Sequence, residues 1–434
     1  MTSIKKISKY VGHQFIWVNL LAFILPIFAR ITPAMILVFA VMVLLQSKLR
    51  LAKGINQRVV LGFSAIYFLY LLGAIWSDYQ ESIGNELSTK LALLVFPILF
   101  LFTKKLPKKI LHKVLLNFVL GCLVNLLLSI IKGIGCFQSQ EIIECFYSSR
   151  ISYGFHPSYS AMYMNLAIAI LLYFDFNGIS PYSIPRWLGR SLVLLLLAFV
   201  VLLSSKMGIF TLVIIFLLFG TAYARRLGWR KVALRSVVVV LLFIGFLWLS
   251  PTTYKRFGAL TETVKTTLQG EEKFQKDVES NSARVNIWSI AIPLAFENFW
   301  FGIGTNDVSA TLADLYNKNG MEEAARLQLN CHNQFIETQL SIGFLGLLML
   351  LALVGMGVYL GIRKRNIIYL FFSLLCLANF MVESMLETQA GVVFFSFFNC
   401  FFFVQQNQLR NDESDHGGRS QAAIRKSGGT KQGL

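Results

Sequence analysis

The stretch Cys331-His332-Asn333-Gln334-Phe335-Ile336-Glu337 runs directly into Thr338-Gln339-Leu340-Ser341-Ile342-Gly343-Phe344-Leu345-Gly346-Leu347 and on through further apolar residues. Ionisable side chains thus meet a long apolar run with no polar spacer between them. A helix needs about 20 such residues to cross a bilayer, and runs of that kind recur about twelve times along the chain. The expected fold is an all-α integral membrane protein of about twelve transmembrane helices. Chemistry-capable groups would then stand at the lip of one helix, where a water-soluble reactant can meet a lipid-held one.

Composition points the same way. Only 14% of the 434 residues are charged, against about a quarter in soluble domains, and mean hydropathy is +0.62. The alternating segments of roughly ten residues that mark an outer-membrane barrel are absent. A net charge of +18 suggests nucleic acid at first sight. Most Lys and Arg, however, sit in short loops and tails, where they record orientation, and no basic patch is interleaved with stacking aromatics. Neither CxxC nor HxxxH spacing occurs, so no metal or cofactor is expected. Lys5, Lys6 and Lys9 before residues 15–29 look like a signal peptide, but with no small-residue cleavage site they read as a retained first helix. Cys136 and Cys145 share one outer loop and could pair in an oxidising compartment.

Spans are expected near 14–29, 32–46, 59–76, 88–103, 113–131, 158–174, 191–205, 207–223, 236–250, 339–361, 366–382 and 389–405. Basic clusters follow alternate spans: Lys48, Arg50, Lys53 and Arg58; Lys104, Lys105, Lys108 and Lys109; Arg186 and Arg190; Arg225, Arg226, Arg230 and Lys231; Arg363, Lys364 and Arg365. All of them face the cytoplasm if both termini do. The chain then divides into spans one to nine (1–250), a helical periplasmic cap (251–338), spans ten to twelve (339–405) and a disordered cytoplasmic tail (406–434). Within the cap, Ser282 is a candidate N-cap for a helix towards Glu297. Gly302–Asp307 reads as a turn, followed by short helices through Leu315 and across Met321–Leu329.

Four constellations carry chemical potential on the outer side. A neutral His332 imidazole can take a proton from a hydroxyl, and a charged one can hold a phosphate; taken alone, it reads as an interfacial hydrogen-bonding residue. Asn333 and Glu337, four apart, add polar groups beside it at the membrane edge, where such groups are costly unless they line a cavity. Arg284 and Trp288 share a face of the cap's first helix: a fork for phosphate oxygens, or a snorkelling Arg beside an anchoring Trp. Lys206 stands in a tight outer turn, Ser205-Lys206-Met207-Gly208, where orientation rules do not require a cation. Arg150 and His156, in Arg150–Tyr159, offer donors for phosphate or sugar, or simply a capped helix start. Glu383 and Glu387 could bind a sugar or act as a base, or could only mark the end of a span.

These residues resemble the O-antigen ligase family, which shares its defining region with O-antigen polymerases and bacterial O-oligosaccharyltransferases. The likeness rests on Ser205-Lys206-Met207-Gly208, Arg284-Val285-Asn286-Ile287-Trp288, Glu297-Asn298-Phe299-Trp300-Phe301-Gly302-Ile303-Gly304 and His332–Glu337 followed by Gly343-Phe344-Leu345-Gly346. It covers mainly residues 190–405. The resemblance implies transfer of a glycan from undecaprenyl diphosphate to a lipid A–core hydroxyl or a lipid-linked glycan, at the periplasmic face of the inner membrane and without metal. It also implies inversion at the anomeric carbon. Lys206 and Arg284 would hold the diphosphate, with Arg150 as a further candidate, and His332 would serve the transfer. Where many ligases carry Arg, this chain has Lys206, a point charge in place of a bidentate fork. A repeat-unit polymerase and a protein O-oligosaccharyltransferase are the neighbouring readings. A transporter is the distant one, disfavoured because no repeated halves are visible and the charges gather at the outer rim.

Overall fold

The computed structural model describes residues 16–28, 31–47, 57–79, 83–103, 106–230 and 281–406. The described chain is helical, with no strand among these residues. In order it comprises α1 (16–24), α2 (Thr32–Ser47), α3 (Gln57–Gly73), α4 (Ile83–Lys90), α5 (Ala92–Phe102) and α6 (Lys108–Gln140). There follow α7 (Ser148–Ile151), α8 (Pro157–Asn177), α9 (Arg186–Leu202) and α10 (Lys206–Leu227). After an interval come α11 (Asn281–Glu297), α12 (Val308–Lys318) and α13 (Glu322–Arg326), then α14 (Gln334–Arg363), α15 (Ile367–Phe380) and α16 (Gln389–Gln405). Every expected span except 236–250 coincides with helix; that span, the stretch 251–280 and the tail from 407 lie outside the described residues. Six helical stretches among the described residues are long and apolar enough to cross a membrane.

Helix ends follow local chemistry. Pro157 opens α8 behind His156, whose Nδ1 accepts from the Ser158 amide, and Gly178 closes it in the left-handed conformation (φ 65°). Ser205, Asn333 and Thr388 cap α10, α14 and α16 by accepting from backbone amides of the first turn. Two spans differ from expectation. The fourth is split at Leu91 into the polar α4 and the apolar α5. The fifth runs well beyond residue 131, because α6 continues to Gln140 and reaches the Cys136–Cys145 disulfide. Lys132 ties this extension to the carbonyls of Ser149 and Ser152.

Mid-bundle, rings take the place of polar contacts. Phe118 meets Phe398 edge-on at 4.9 Å, Phe96 meets Phe397 at 5.4 Å, and Phe372 packs among Phe394, Phe398 and Phe402. Helix association in lipid rests on such close packing, because the surrounding tails are equally apolar. The basic residues Lys108, Lys109, Arg186, Arg190, Arg225, Arg226, Arg363, Lys364 and Arg365 flank helix termini at one end of the bundle. The candidate site residues gather at the other.

At the site end, α14 is not one continuous helix. Ile342 (φ −137°) and Gly343 (φ 69°) break it, and the turn after α11 fills the break. Ile303 N donates to Leu340 O (2.7 Å), Phe344 N to Phe299 O (2.9 Å), and the Gln339 amide to the same Phe299 carbonyl (2.7 Å). The backbone groups freed by the break are thereby paired within the protein, as a membrane-spanning helix requires. A Cβ on Gly302 or Gly343 would collide with the opposing backbone, so both motif glycines serve this close approach. A second clamp is Asp307, which accepts from Ser77 Oγ and from the amides of Asp78 (2.8 Å) and Tyr79 (3.0 Å) beyond α3.

Candidate functional site

Glu383, in the short connection between α15 and α16, is where Arg284 and His332 meet. Arg284 Nη2 stands 3.3 Å from its Oε1, His332 Nδ1 3.5 Å from its Oε2, and Ser158 Oγ donates to Oε1 at 3.1 Å. The His332 approach is an ion-pair separation without hydrogen-bond alignment. Burial pushes the Glu383 carboxyl up, but His332, Arg284 and, more remotely, His156 together pull it below the ordinary carboxylate value. An ionised acid between a cation and an imidazole is therefore the ground state of the site.

Each partner is positioned by its own element. Arg284 and Trp288 lie one turn apart on α11; the first reaches Glu383, while the second donates from Nε1 to the Cys331 carbonyl at 2.8 Å. His332 sits in the left-handed region (φ 45°), a conformation that costs a non-glycine residue energy and persists only where neighbours impose it. Those neighbours are visible. The Cys331 amide donates to Glu337 Oε2 (2.9 Å), the His332 amide donates to Asn330 Oδ1 (3.0 Å), and Asn333 caps α14 while its Nδ2 holds the Met381 carbonyl. Asn333 and Glu337 thus brace the histidine turn from either side, and Glu337 also receives Ser384 Oγ. Among the described residues, Arg284 Nε and His332 Nδ1 are buried without a hydrogen-bond partner, so donors and acceptors here remain unspent.

Lys206 is the first residue of α10, half-buried at the same end. Its helix is pinned to α8 one turn below Ser158. Gly208 faces Ala161 with no room for a side chain, and Asn165 Nδ2 donates to Gly208 O (2.7 Å) and Thr211 Oγ1 (2.6 Å). His156 caps α8 beside Ser158 and reaches Glu383 through charge only. Arg150 is not gathered in: it lies on α7 with its guanidinium turned to Gln140 Oε1 (3.3 Å) at the end of α6.

Behind Glu383 lies a polar layer, of whose ionisable residues only Glu387 stands out in the sequence. Lys90, fully buried at the end of α4, bridges Glu86 and Glu387 and lies 4.8 Å from the Tyr70 ring. Gln334 Oε1 accepts from the Leu386 amide (2.5 Å), and its Nε2 donates to Thr338 Oγ1 (3.1 Å) and to Glu387 Oε1 (3.4 Å). The turn that carries Glu383 is thereby fastened to α3, α4 and α14. One signal could have found it: Lys90 falls inside an expected span, where an ionisable residue needs a partner.

No curated protein matches the sequence. Residues 191–351, the stretch that carries Lys206, Arg284, Trp288, His332, Asn333 and Glu337, match the family model described as O-Antigen ligase, so this segment is similar to that family.

Proposed function

We propose that the chain is a glycosyltransferase that moves a preassembled glycan from undecaprenyl diphosphate to a lipid A–core hydroxyl at the periplasmic face of the inner membrane. The observation that carries the reading is the convergence of Arg284 and His332 on Glu383 within a segment that matches the O-antigen ligase family. With Glu383 ionised beside Nδ1, the imidazole keeps that proton there and presents the lone pair of Nε2 to an acceptor hydroxyl. The acceptor oxygen attacks the anomeric carbon as its proton passes to Nε2, and the bond from that carbon to the phosphate oxygen breaks. The electron pair leaves with the diphosphate. Arg284 and Lys206 stabilise the departing charge more strongly than the bound donor, which is the condition for lowering the barrier. Arg284 exchanges its Glu383 partner for phosphate as the donor binds, so its fork is pre-aimed and not newly ordered.

The direct test is transfer by the purified protein from a defined undecaprenyl diphosphate glycan to lipid A–core. His332→Ala is expected to lower turnover by about 10²–10⁴, the usual share of a general base. Arg284→Ala is expected to lower it by about 10²–10³, in line with loss of one charge-stabilising donor. Near-normal turnover in either variant removes that residue from the scheme. Longer lipid-linked chains made without lipid A–core would make the protein a repeat-unit polymerase instead.

A further inference from the structure

The exposed faces of two spans end in one knot of rings. On α14, Phe344, Leu348, Leu351, Gly355, Tyr359 and Ile362 are exposed at spacings of three and four, so they form one row, and none carries a charge. From Phe344 to Ile362 the row climbs roughly 27 Å at 1.5 Å per residue, close to the hydrocarbon thickness of about 30 Å. Arg363, Lys364 and Arg365 follow at its basic end, so Phe344 stands at the opposite hydrocarbon boundary. On α3 the exposed residues Leu61, Phe68, Leu72 and Ile75 lead to Trp76 in the same way.

The turn after α11 closes on the ends of both rows. Trp300 meets Phe344 edge-on at 6.0 Å, Phe299 stacks on the same ring at 5.0 Å, and Phe301 meets Trp76 edge-on at 6.3 Å. These contacts use only one edge of the outer rings, for Trp300 remains 68% exposed and Phe301 72%. Rings left this open to water would forgo a large hydrophobic gain. Beside them the surface turns polar: Asp307 accepts from Ser77 Oγ and from the amides of Asp78 and Tyr79, directly after Trp76. Aromatic rings between an apolar row and a polar rim are the pattern of a membrane–water boundary.

Continuity identifies what covers the rings. The rows that end at Phe344 and Trp76 face hydrocarbon along their length, and the leaflet that wets them reaches Trp300 and Phe301 without a further partner. We propose that Trp76, Trp300 and Phe301 form a mooring surface for phospholipid, seated at the glycerol and carbonyl level of the leaflet at the site end. The consequence lies in the backbone of the same turn. Ile303 N donates to Leu340 O, and Phe299 O accepts from Phe344 N and from the Gln339 amide. The leaflet thus sets the depth of residues 334–341, the segment that His332 precedes, whatever reaction the site carries out.

The test requires no turnover. A nitroxide is attached to full-length protein carrying Phe301→Cys or Trp300→Cys, with Leu348→Cys as the hydrocarbon reference and Lys318→Cys, exposed at the end of α12, as the water reference. The free cysteines Cys122, Cys331, Cys376 and Cys400 are buried, and Cys136 is paired with Cys145, so the label goes to the introduced thiol. In phosphatidylethanolamine–phosphatidylglycerol nanodiscs, spin relaxation by oxygen is compared with relaxation by a water-soluble nickel chelate. The expected oxygen-to-nickel ratio at 300 and 301 is several-fold above that at 318 and below that at 348. A ratio equal to that at 318 places the rings in water and overturns the mooring. Low accessibility to both reagents also overturns it, because protein, whether a second copy or another segment of this chain, then covers the rings.

Discussion

The aromatic layer around Phe398 and the polar layer around Lys90 belong to the same bundle but are built on opposite rules. Phe398 alone meets Phe118, Phe372, Phe394, Phe397 and Phe402, so the loss of one contact leaves several others. Lys90 has two carboxylates and a ring, and each of those carboxylates depends on it. Dispersion is shared and forgiving, whereas buried charge is paired and unforgiving. The difference teaches where precision is located: the aromatic layer holds the helices at a distance, and the polar layer fixes the angle at which Glu383 meets His332 and Arg284.

The sharpest way to break this contrast is Lys90→Met. It leaves the half-buried Glu86 and Glu387 without their cation, which should cost about 3 kcal/mol, the lower end of the range for a broken buried pair, in thermal unfolding of the detergent-solubilised protein. Adding Glu86→Gln and Glu387→Gln should return most of that loss, because a neutral hydrogen-bonded cluster leaves no orphaned charge. If the triple variant is no more stable than Lys90→Met, charge pairing is not what holds the layer. Phe398→Ala should cost less than Lys90→Met, at or below the lower part of the range for such truncations, since neighbouring rings can close on the gap. A cost equal to or above that of Lys90→Met would erase the contrast. Asp307→Ala comes next: three donors from the Ser77–Tyr79 turn lose their acceptor, for about 2 kcal/mol. Limited proteolysis should then open the 299–307 turn before the bundle.

Much of this architecture was legible in the chain because it is written in runs. Apolar length marked the spans, and Lys and Arg clusters marked one end of the bundle. Helices were expected at the three places where 281–326 has them, but the first already includes Asn281, so Ser282 lies inside it and is not its N-cap; Glu322 and Glu323 do stand in the first turn of the third. Arg284, Trp288 and His332 were legible as a group because two lie one turn apart and the third opens a span. What stayed hidden was pairing across sequence distance. Glu383 and Glu387 carry no local mark that sends one to His332 and the other to Lys90, separated by 51 and 297 residues. Arg150 shows the converse: its neighbourhood reads like a site, yet a nearby Gln140 claims it. The break at Gly343 was likewise invisible, since Ser341–Gly346 reads as ordinary helix until the 299–303 turn is laid into it.

The gentlest probe of the contrast is pH, because only the polar layer can respond to it. Glu383 and Glu387 are both held below the ordinary value of 4.5: burial raises each, and charges outweigh it, from His332 and Arg284 at the first and from Lys90 at the second. A carboxylate with a depressed folded pKa contributes stability that is fully present above its unfolded value and is lost as pH falls through the folded one. Unfolding temperature should therefore be flat from neutrality to about pH 5 with respect to these two groups and decline below 4.5, steepening as the pH drops further. Glu383→Gln should remove its share of that decline while keeping a side chain that can still accept from Ser158 and Arg284. Phe398→Ala should shift the whole curve downward without changing its shape. If instead Glu383→Gln declines with acid as steeply as the parent, Glu383 is not ionised in the folded protein. The imidazole would then lose the partner that fixes its proton on Nδ1.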